Sequence, residues 1–294
     1  MSETTLRIRD LRLGFMGYTG LVEVLHGISL HIRPGERVAL VGESGSGKSV
    51  TARIVLGLLQ SLRSAQISGL VEFEGRDLER LPDHERHALR GTRMSMIFQD
   101  PTSSLNPVYP IGTQFQEVLR RGAPGISADE ARSLAATALR GVAIPEPERV
   151  LESYPFQLSG GMNQRVMIAM ALANEPSLLI ADEPGTALDV TVQAQTLRLM
   201  RELVEKHRTA VLFISHNLGV VREFADRVYV IYKGRIVEQG SASALFAEPR
   251  HPYTRALMSA VPRITGGGIP EIEDASADYF APIEVHEGFA EPAA

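Results

Sequence analysis

The sequence predicts an α/β fold: a mostly parallel sheet with helices on both faces, an antiparallel β portion near its start and a helical insertion in its middle. Three observations carry this. Short apolar β runs alternate with stretches of helical periodicity along most of the 294 residues. The first two runs alternate apolar and polar residues, as half-buried antiparallel strands do. From Asp100 to about Ser153, a Pro- and Gly-punctuated loop followed by two helical patterns interrupts the alternation.

Residues 6–13 and 25–32 are the antiparallel pair, and residues 37–41 (RVALV) form a short buried strand that ends at a glycine-rich turn. The pattern predicts a helix over residues 49–60, with Ile54, Leu58 and Leu59 on one face. Strands follow at 69–75 and 94–98, then a loop over 101–107 and helices at 111–121 and 127–140. Ser127 with Glu130 three residues later has the form of a capping box. A helix at 162–174 precedes strands at 177–181, 210–214 and 227–232, with a helix at 190–207 between the first two. Lys233-Gly234 makes a tight turn into a strand over 235–239. There is no internal repeat.

Composition bounds the chemistry. With no Cys, disulfides, zinc ribbons, iron–sulfur clusters and thiol nucleophiles are all excluded. A formal charge of −5 gives no support to bulk nucleic-acid binding, and no nucleic-acid partner is expected. The longest uninterrupted apolar run, 166–173, is far short of the ~20 residues that a spanning helix needs. The start of the chain lacks the apolar core of a signal peptide. The expectation is a soluble cytosolic chain that meets a membrane only through a partner. The segment after Ile264 carries seven acids (Glu271, Glu273, Asp274, Asp278, Glu284, Glu287, Glu291) and no Lys or Arg. It reads as a weakly ordered extension. Without it, the −5 of the whole chain becomes +2.

Gly42-Glu-Ser-Gly-Ser-Gly-Lys-Ser49 fits G-x-x-x-x-G-K-[ST], after a buried strand and at the start of a helix. Gly42, Gly45 and Gly47 let the backbone curl so that successive N–H groups, including those of Ser44 and Ser46, face phosphate oxygens. Lys48 is expected at the β/γ-phosphates and the Ser49 hydroxyl on Mg²⁺. Downstream, Leu178-Leu-Ile-Ala-Asp182 runs apolar residues into a carboxylate at a strand end, where an acid holds Mg²⁺ through its water shell. Glu183 follows at once, placed to take a proton from, or to orient, a water attacking the γ-phosphate.

Leu158-Ser-Gly-Gly-Met162 opens a second helix with an anion-binding N-terminus. A chain with both glycine motifs, in this order, resembles the ATPase subunit of ABC transporters over about residues 5–262. The fold implied is a P-loop NTPase core with an antiparallel β subdomain and a helical subdomain inserted at about 100–172. Residues 263–294 form the acidic extension. The remaining family motifs fall in sequence: Gln99 after a β run, Ala187-Leu-Asp189, and His216 after an apolar strand. The resemblance implies ATP and Mg²⁺ as cofactors, with Gln99 on Mg²⁺ and near the membrane partner and His216 on the γ-phosphate. It also implies that two such subunits pack head to tail, Ser159, Gly160 and Gly161 of one covering the ATP on the other's phosphate loop. Val50 belongs to the nucleotide-contacting set on the same ground. Asp189 is also a candidate N-cap for the helix that follows. Phe15 lies where the adenine-stacking aromatic is expected, with Tyr18 as the alternative.

Three stretches resemble the peptide/nickel importer branch: Asp100-Pro-Thr-Ser-Ser-Leu-Asn-Pro107, Ala187-Leu-Asp-Val-Thr-Val-Gln-Ala-Gln195 and His251-Pro-Tyr-Thr254. The last is physically an ordinary turn entering a helix. That branch implies permease subunits, a second ATPase (a heterodimer rather than a homodimer) and, indirectly, an extracytoplasmic solute-binding protein. The location implied is the cytoplasmic face of the cell membrane. Four residues depart from the family pattern: Asn163 for Arg, Gly185 for Thr, Asn217 for Asp and Phe156 for His. None is a phosphate or Mg²⁺ ligand, although Gly185 loosens its segment. Non-transport ABC ATPases, such as phosphonate-cleaving complexes, DNA-repair proteins and translation factors, are the alternative class. The 110-residue gap between Ser49 and Ser159, without sustained heptads, and the single ATPase domain speak against the last two.

Overall fold

The computed structural model describes residues 4–18, 20–185, 189–259, 279 and 282–286. Contacts divide the chain into two compact units, one from Met1–Arg80 with Leu212–Ala294 and one from Leu81–Val211.

The first unit opens with β1 (Leu6–Gly17), β2 (Gly20–Ile32), β3 (Arg37–Val41), α1 (Lys48–Val55), β4 (Ala65–Phe73) and β5 (Arg76–Asp77). β1, β2, β4 and β5 make an antiparallel sheet in the order β2-β1-β4-β5. The buried residues of β1 change parity, Leu6 and Ile8 first and Leu11 and Leu13 after. A period-2 strand can do this only through an extra residue, and the register with β2 shifts between Ile8 and Leu11, where Asp10 has φ 46°. β1 and β2 run longer than the expected 6–13 and 25–32, as far as the Gly17–Gly20 pair.

α1 stops at Val55, five residues before the expected end. Leu56 caps it, Gly57 turns with φ 66°, and Leu58 is exposed while Ile54 and Leu59 are buried. The strand expected at 69–75 begins earlier and ends at Phe73, because Glu74 and Gly75 turn with positive φ.

The second unit holds α2 (Asp83–Leu89), β6 (Met94–Ile97), α3 (Pro101–Ser104), α4 (Ile111–Gly122), α5 (Ala128–Gly141) and α6 (Pro147–Glu152). A 3₁₀ turn at Pro155–Gln157, α7 (Gly160–Leu172), β7 (Leu178–Asp182) and α8 (Val190–His207) complete it. α4, α5, α6 and α7 pack on one another around Phe115, Leu119, Leu139, Val150 and Ile168. The capping box of α5 is present: Glu130 N–H donates to Ser127 Oγ at 3.2 Å, and Ser127 N–H to Glu130 Oε2 at 3.1 Å. α7 is apolar nearly all round, and is buried accordingly.

β8 (Ala210–Ser215) leads the chain back to the first unit, which ends with α9 (Leu218–Phe224), β9 (Arg227–Tyr232), β10 (Arg235–Ser241), α10 (Ala242–Ala247), α11 (Pro252–Ser259) and β11 (Glu284–Val285). There β3 pairs in parallel with β9, and β9 returns antiparallel into β10 through the Lys233-Gly234 turn, both residues at positive φ. β3 and β9 bury almost every residue, as strands covered on both faces do. Within the segment expected to be weakly ordered, Glu284–Val285 pairs in parallel with β10 at Glu238 and Gln239. Six of that segment's seven acids, all but Glu284, lie outside the described residues. Among the described residues no helix is long and apolar enough to cross a membrane.

Candidate functional site

In the first unit, β3 delivers the chain into the turn Gly42–Ser49 and α1 leaves it. Glycine is required at Gly42, where a Cβ would sit 2.1 Å from the Ile231 carbonyl of β9. It is required again at Gly47, the α1 N-cap, with φ 110° and Leu25 pressed against it. With glycine as N-cap, no side chain caps α1, so its first-turn N–H groups face an incoming anion together with the positive end of the helix dipole. Lys48 is buried, and its Nζ donates to the carbonyls of Gly42 (2.8 Å) and Glu43 (2.7 Å). Ser46 is buried and its Oγ has no hydrogen-bond partner, a polar atom left for a ligand in the cradle. Ser44 and Gly45 are exposed, Ser49 and Val50 half-buried.

Phe15 is half-buried on β1, fixed between Val22 of β2 and Ala65 of β4, whereas Tyr18 stands fully exposed beyond the strand end. His216 is exposed and directly follows β8. Asn217 beside it caps α9, its Oδ1 accepting from Gly219 N–H (3.1 Å) and Val220 N–H (3.4 Å), as an aspartate there would.

In the second unit, parallel β6 and β7 set a pair of polar groups side by side. Their last registered partners are Ile97 and Ala181. Two residues past each come Gln99 and Glu183, and Gln99 Nε2 donates to Glu183 Oε2 at 2.9 Å. Glu183 has φ 51°, an uncommon conformation for a residue with a side chain. Asp182, the last residue of β7, is 8% exposed. Ser159 is the exposed N-cap of α7, with its Oγ accepting from Met162 N–H at 3.3 Å. A Cβ on Gly161 would meet Val192 at 2.9 Å, so α7 and α8 approach closely there. Asp189 is the N-cap of α8, accepting from Val192 N–H at 2.9 Å. Ala187 and Leu188 lie outside the described residues.

The departures have local reasons. Gly185 has φ 98°, a conformation that suits glycine and strains threonine. Asn163 is buried, and its Nδ2 donates to the Pro155 carbonyl at 2.9 Å. Phe156 is exposed and stacks on Tyr154, ring centroids 5.5 Å apart.

Sequence reasoning passed over two residues. Glu43 was not expected to matter, yet its carbonyl takes Lys48 and its N–H donates to the Tyr253 hydroxyl at 3.0 Å. Tyr253 belongs to the His251–Thr254 turn, which does enter a helix as expected. No local signal links positions 210 residues apart.

Among the described residues no three His, Asp or Glu side chains gather as a metal cluster. In the second unit, the Asp182 carboxylate and the Gln99 amide oxygen are hard oxygen donors of the kind Mg²⁺ takes, and in the first unit the Ser49 hydroxyl is another. With its Nε2 engaged by Glu183, Gln99 has its amide oxygen to offer a cation.

The sequence matches the ABC transporter family over residues 25–186, and the oligopeptide/dipeptide transporter C-terminal region over residues 237–284. It is 51% identical over 261 residues to a probable peptide ABC transporter ATP-binding protein of Sinorhizobium fredii, covering 89% of this chain and 78% of that one. It is 47% identical over 267 residues to the oligopeptide transport ATP-binding protein OppD of Bacillus subtilis, covering 91% and 74%. Among solved structures, it is similar to the dimeric post-hydrolysis state of the ATP-binding cassette MJ0796 bound to ADP and phosphate. The TM-score there is 0.71 at 27% identity, covering 81% of this chain and 98% of that one. With its phosphate loop, strand-end acid and helix-opening Ser-Gly-Gly on an α/β fold, the chain belongs to the ABC transporter family and is an ATPase of it.

Proposed function

We propose that this chain is the ATP-binding subunit of an importer for oligopeptides or dipeptides, driving a separate membrane permease from the cytoplasmic face. The observation that carries the reading is the match of residues 237–284 to the oligopeptide/dipeptide transporter C-terminal region. Relatives whose names specify peptide transport support it.

The two units divide the chemistry. The loop of the first unit binds the phosphates through backbone N–H groups, Ser46 and Lys48, and Phe15 stacks on the adenine. His216 contacts the γ-phosphate. In the second unit Glu183 takes the proton of the attacking water as phosphate leaves ADP, and Gln99 orients its carboxylate. Ser49 of the first unit and Gln99 and Asp182 of the second would hold Mg²⁺, which when bound would offset the charge of the phosphates. Ser159, Gly160 and Gly161, with Asp189, close over the nucleotide of a second ATPase subunit packed head to tail. Closure with ATP and opening after hydrolysis give the permease a two-state element to follow. A related but different ATPase is the partner we favour, with an extracytoplasmic binding protein supplying the solute.

The test is uptake of a labelled oligopeptide into proteoliposomes holding the chain with the permease subunits it co-purifies with. Transport that needs ATP and is lost with Lys48→Ala supports the reading. Co-purification with a soluble enzyme complex, and no uptake, overturns it.

A further inference from the structure

In the C-terminal part of the first unit, a tyrosine hydroxyl reaches the phosphate loop. Tyr253, the second residue of α11, is 2% exposed, and its Oη accepts the Glu43 N–H at 3.0 Å. The same peptide is gripped from its other side, because its carbonyl, that of Gly42, accepts from Lys48 Nζ at 2.8 Å. The next carbonyl, that of Glu43, accepts from Lys48 Nζ at 2.7 Å and from Ser46 N–H at 3.2 Å. Whatever fixes the Gly42–Glu43 peptide therefore fixes the resting place of the lysine meant for the phosphates.

Tyr253 does not stand alone. Its ring packs on Tyr232 at 4.4 Å and on Tyr279 at 5.7 Å, and the last two lie 5.5 Å apart edge to face. Such pairs add about 0.5–1.5 kcal/mol each beyond burial. Tyr232 ends β9, and two residues on, the Gly234 N–H donates to the Ser46 carbonyl of the phosphate loop at 2.9 Å. Tyr253 thus meets the loop at Glu43, and the turn that follows Tyr232 meets it at Ser46.

Behind the cluster, Glu238 of β10 is wholly buried. It accepts from the backbone N–H groups of Arg250 (2.9 Å) and His251 (3.1 Å), the turn that launches Tyr253. Its Oε1 also meets His286 Nε2 at 2.8 Å, just past β11. One carboxylate joins the turn before Tyr253 to the returning C-terminal strand. Burial pushes the Tyr253 hydroxyl up to about 12, so the group facing Glu43 N–H stays neutral.

We infer that Tyr253 is a positioning residue for the phosphate loop, and that the C-terminal return segment bearing Tyr279 and His286 holds it there, so that this segment sets ATP affinity. The inference rests on the phosphate-loop reading above. Tyr253 acts through the Gly42–Glu43 peptide, whose N–H its hydroxyl accepts. A hydroxyl that only supported the fold would leave nucleotide affinity alone.

The experiment measures KM for ATP and kcat by phosphate release, with melting temperature alongside, on the full chain in its transporter complex. Tyr253→Phe keeps the ring and removes the acceptor. It should raise KM about 5-fold, the share of one hydrogen bond, with kcat within about twofold and little change in melting temperature. Tyr279→Ala should raise KM in the same sense, and Tyr279→Phe should restore it. Unchanged KM in both Tyr253→Phe and Tyr279→Ala overturns the inference, as does a fall of kcat and melting temperature without a rise in KM. Lys48→Ala run in parallel separates the two readings. Loss of ATP binding there, with KM unmoved in Tyr253→Phe, overturns this inference alone; binding that survives Lys48→Ala overturns the phosphate-loop reading and this one with it.

Discussion

The amide of Gln99 donates to the carboxylate of Glu183 across 2.9 Å, each side chain two residues beyond a registered pair of parallel strands. The register of β6 on β7 thus aims a glutamine at the acid that would take a proton from water. Glu183 itself is held at φ 51°, strain of about 1–3 kcal/mol that its surroundings maintain. Replacing Glu183 by Gln keeps the shape and removes the base. Turnover should fall by about 10²–10⁴, with ATP affinity within about twofold. Phosphate release and nucleotide binding measured on the same preparation check this, and turnover near the wild-type rate refutes Glu183 as the base.

Restoring the family's threonine at position 185 should harm this protein. Gly185 has φ 98°, and a Cβ there would approach Gln193 Cγ to 3.1 Å. The backbone alone penalises a side chain in left-handed conformations by about 1–2 kcal/mol. Gly185→Thr should therefore lower unfolding free energy by at least about 1 kcal/mol in chemical denaturation. A variant as stable as wild type would mean that the segment between Glu183 and Asp189 adapts freely.

A buried histidine makes stability depend on pH. His31 is 3% exposed, its Nε2 meets Arg227 Nη1 at 2.9 Å and its Nδ1 lies 3.3 Å from the Tyr229 hydroxyl. An arginine can only donate, so Nε2 accepts and the ring is neutral. Burial first, then the charges of Arg227, Arg33 and Arg7, lower its pKa from 6.5 to about 4. The folded form thus disfavours the proton that the unfolded chain binds. Stability is complete above the unfolded value and is lost as pH falls from about 6.5 towards 4, by up to about 3 kcal/mol. His31→Gln still accepts from Arg227 but does not titrate, so its urea midpoint should fall less than that of wild type over this range. Parallel curves would contradict the assignment.

The site was legible where its chemistry is local. Gly42–Ser49, Asp182-Glu183 and Ser159–Gly161 are contiguous, and each lies at the strand end or helix start its residue types require. Asp189 also caps α8 as read. Limits and long-range links were harder. Periodicity carried α1 on to Gln60, but Gly57 breaks it after Val55. α2 and α6 are only seven and six residues long, too short for periodicity, although Pro147 at the first turn of α6 is a start signal. β11 has two residues and exists only through its pairing with Glu238 and Gln239. The hold of Tyr253 on Glu43 depends on the return of a chain 210 residues later, and no window of sequence contains it.

The head-to-tail arrangement is the claim on which the functional account turns, and photolabelling with an azido-ATP tests it most directly. Ser159 is exposed at the start of α7, so Ser159→Arg should fold while blocking whatever nucleotide its helix covers. In a complex with its partner ATPase subunit, the variant should retain labelling of its own phosphate loop and lose labelling of the partner. Labelling lost from this chain and kept on the partner would contradict the account.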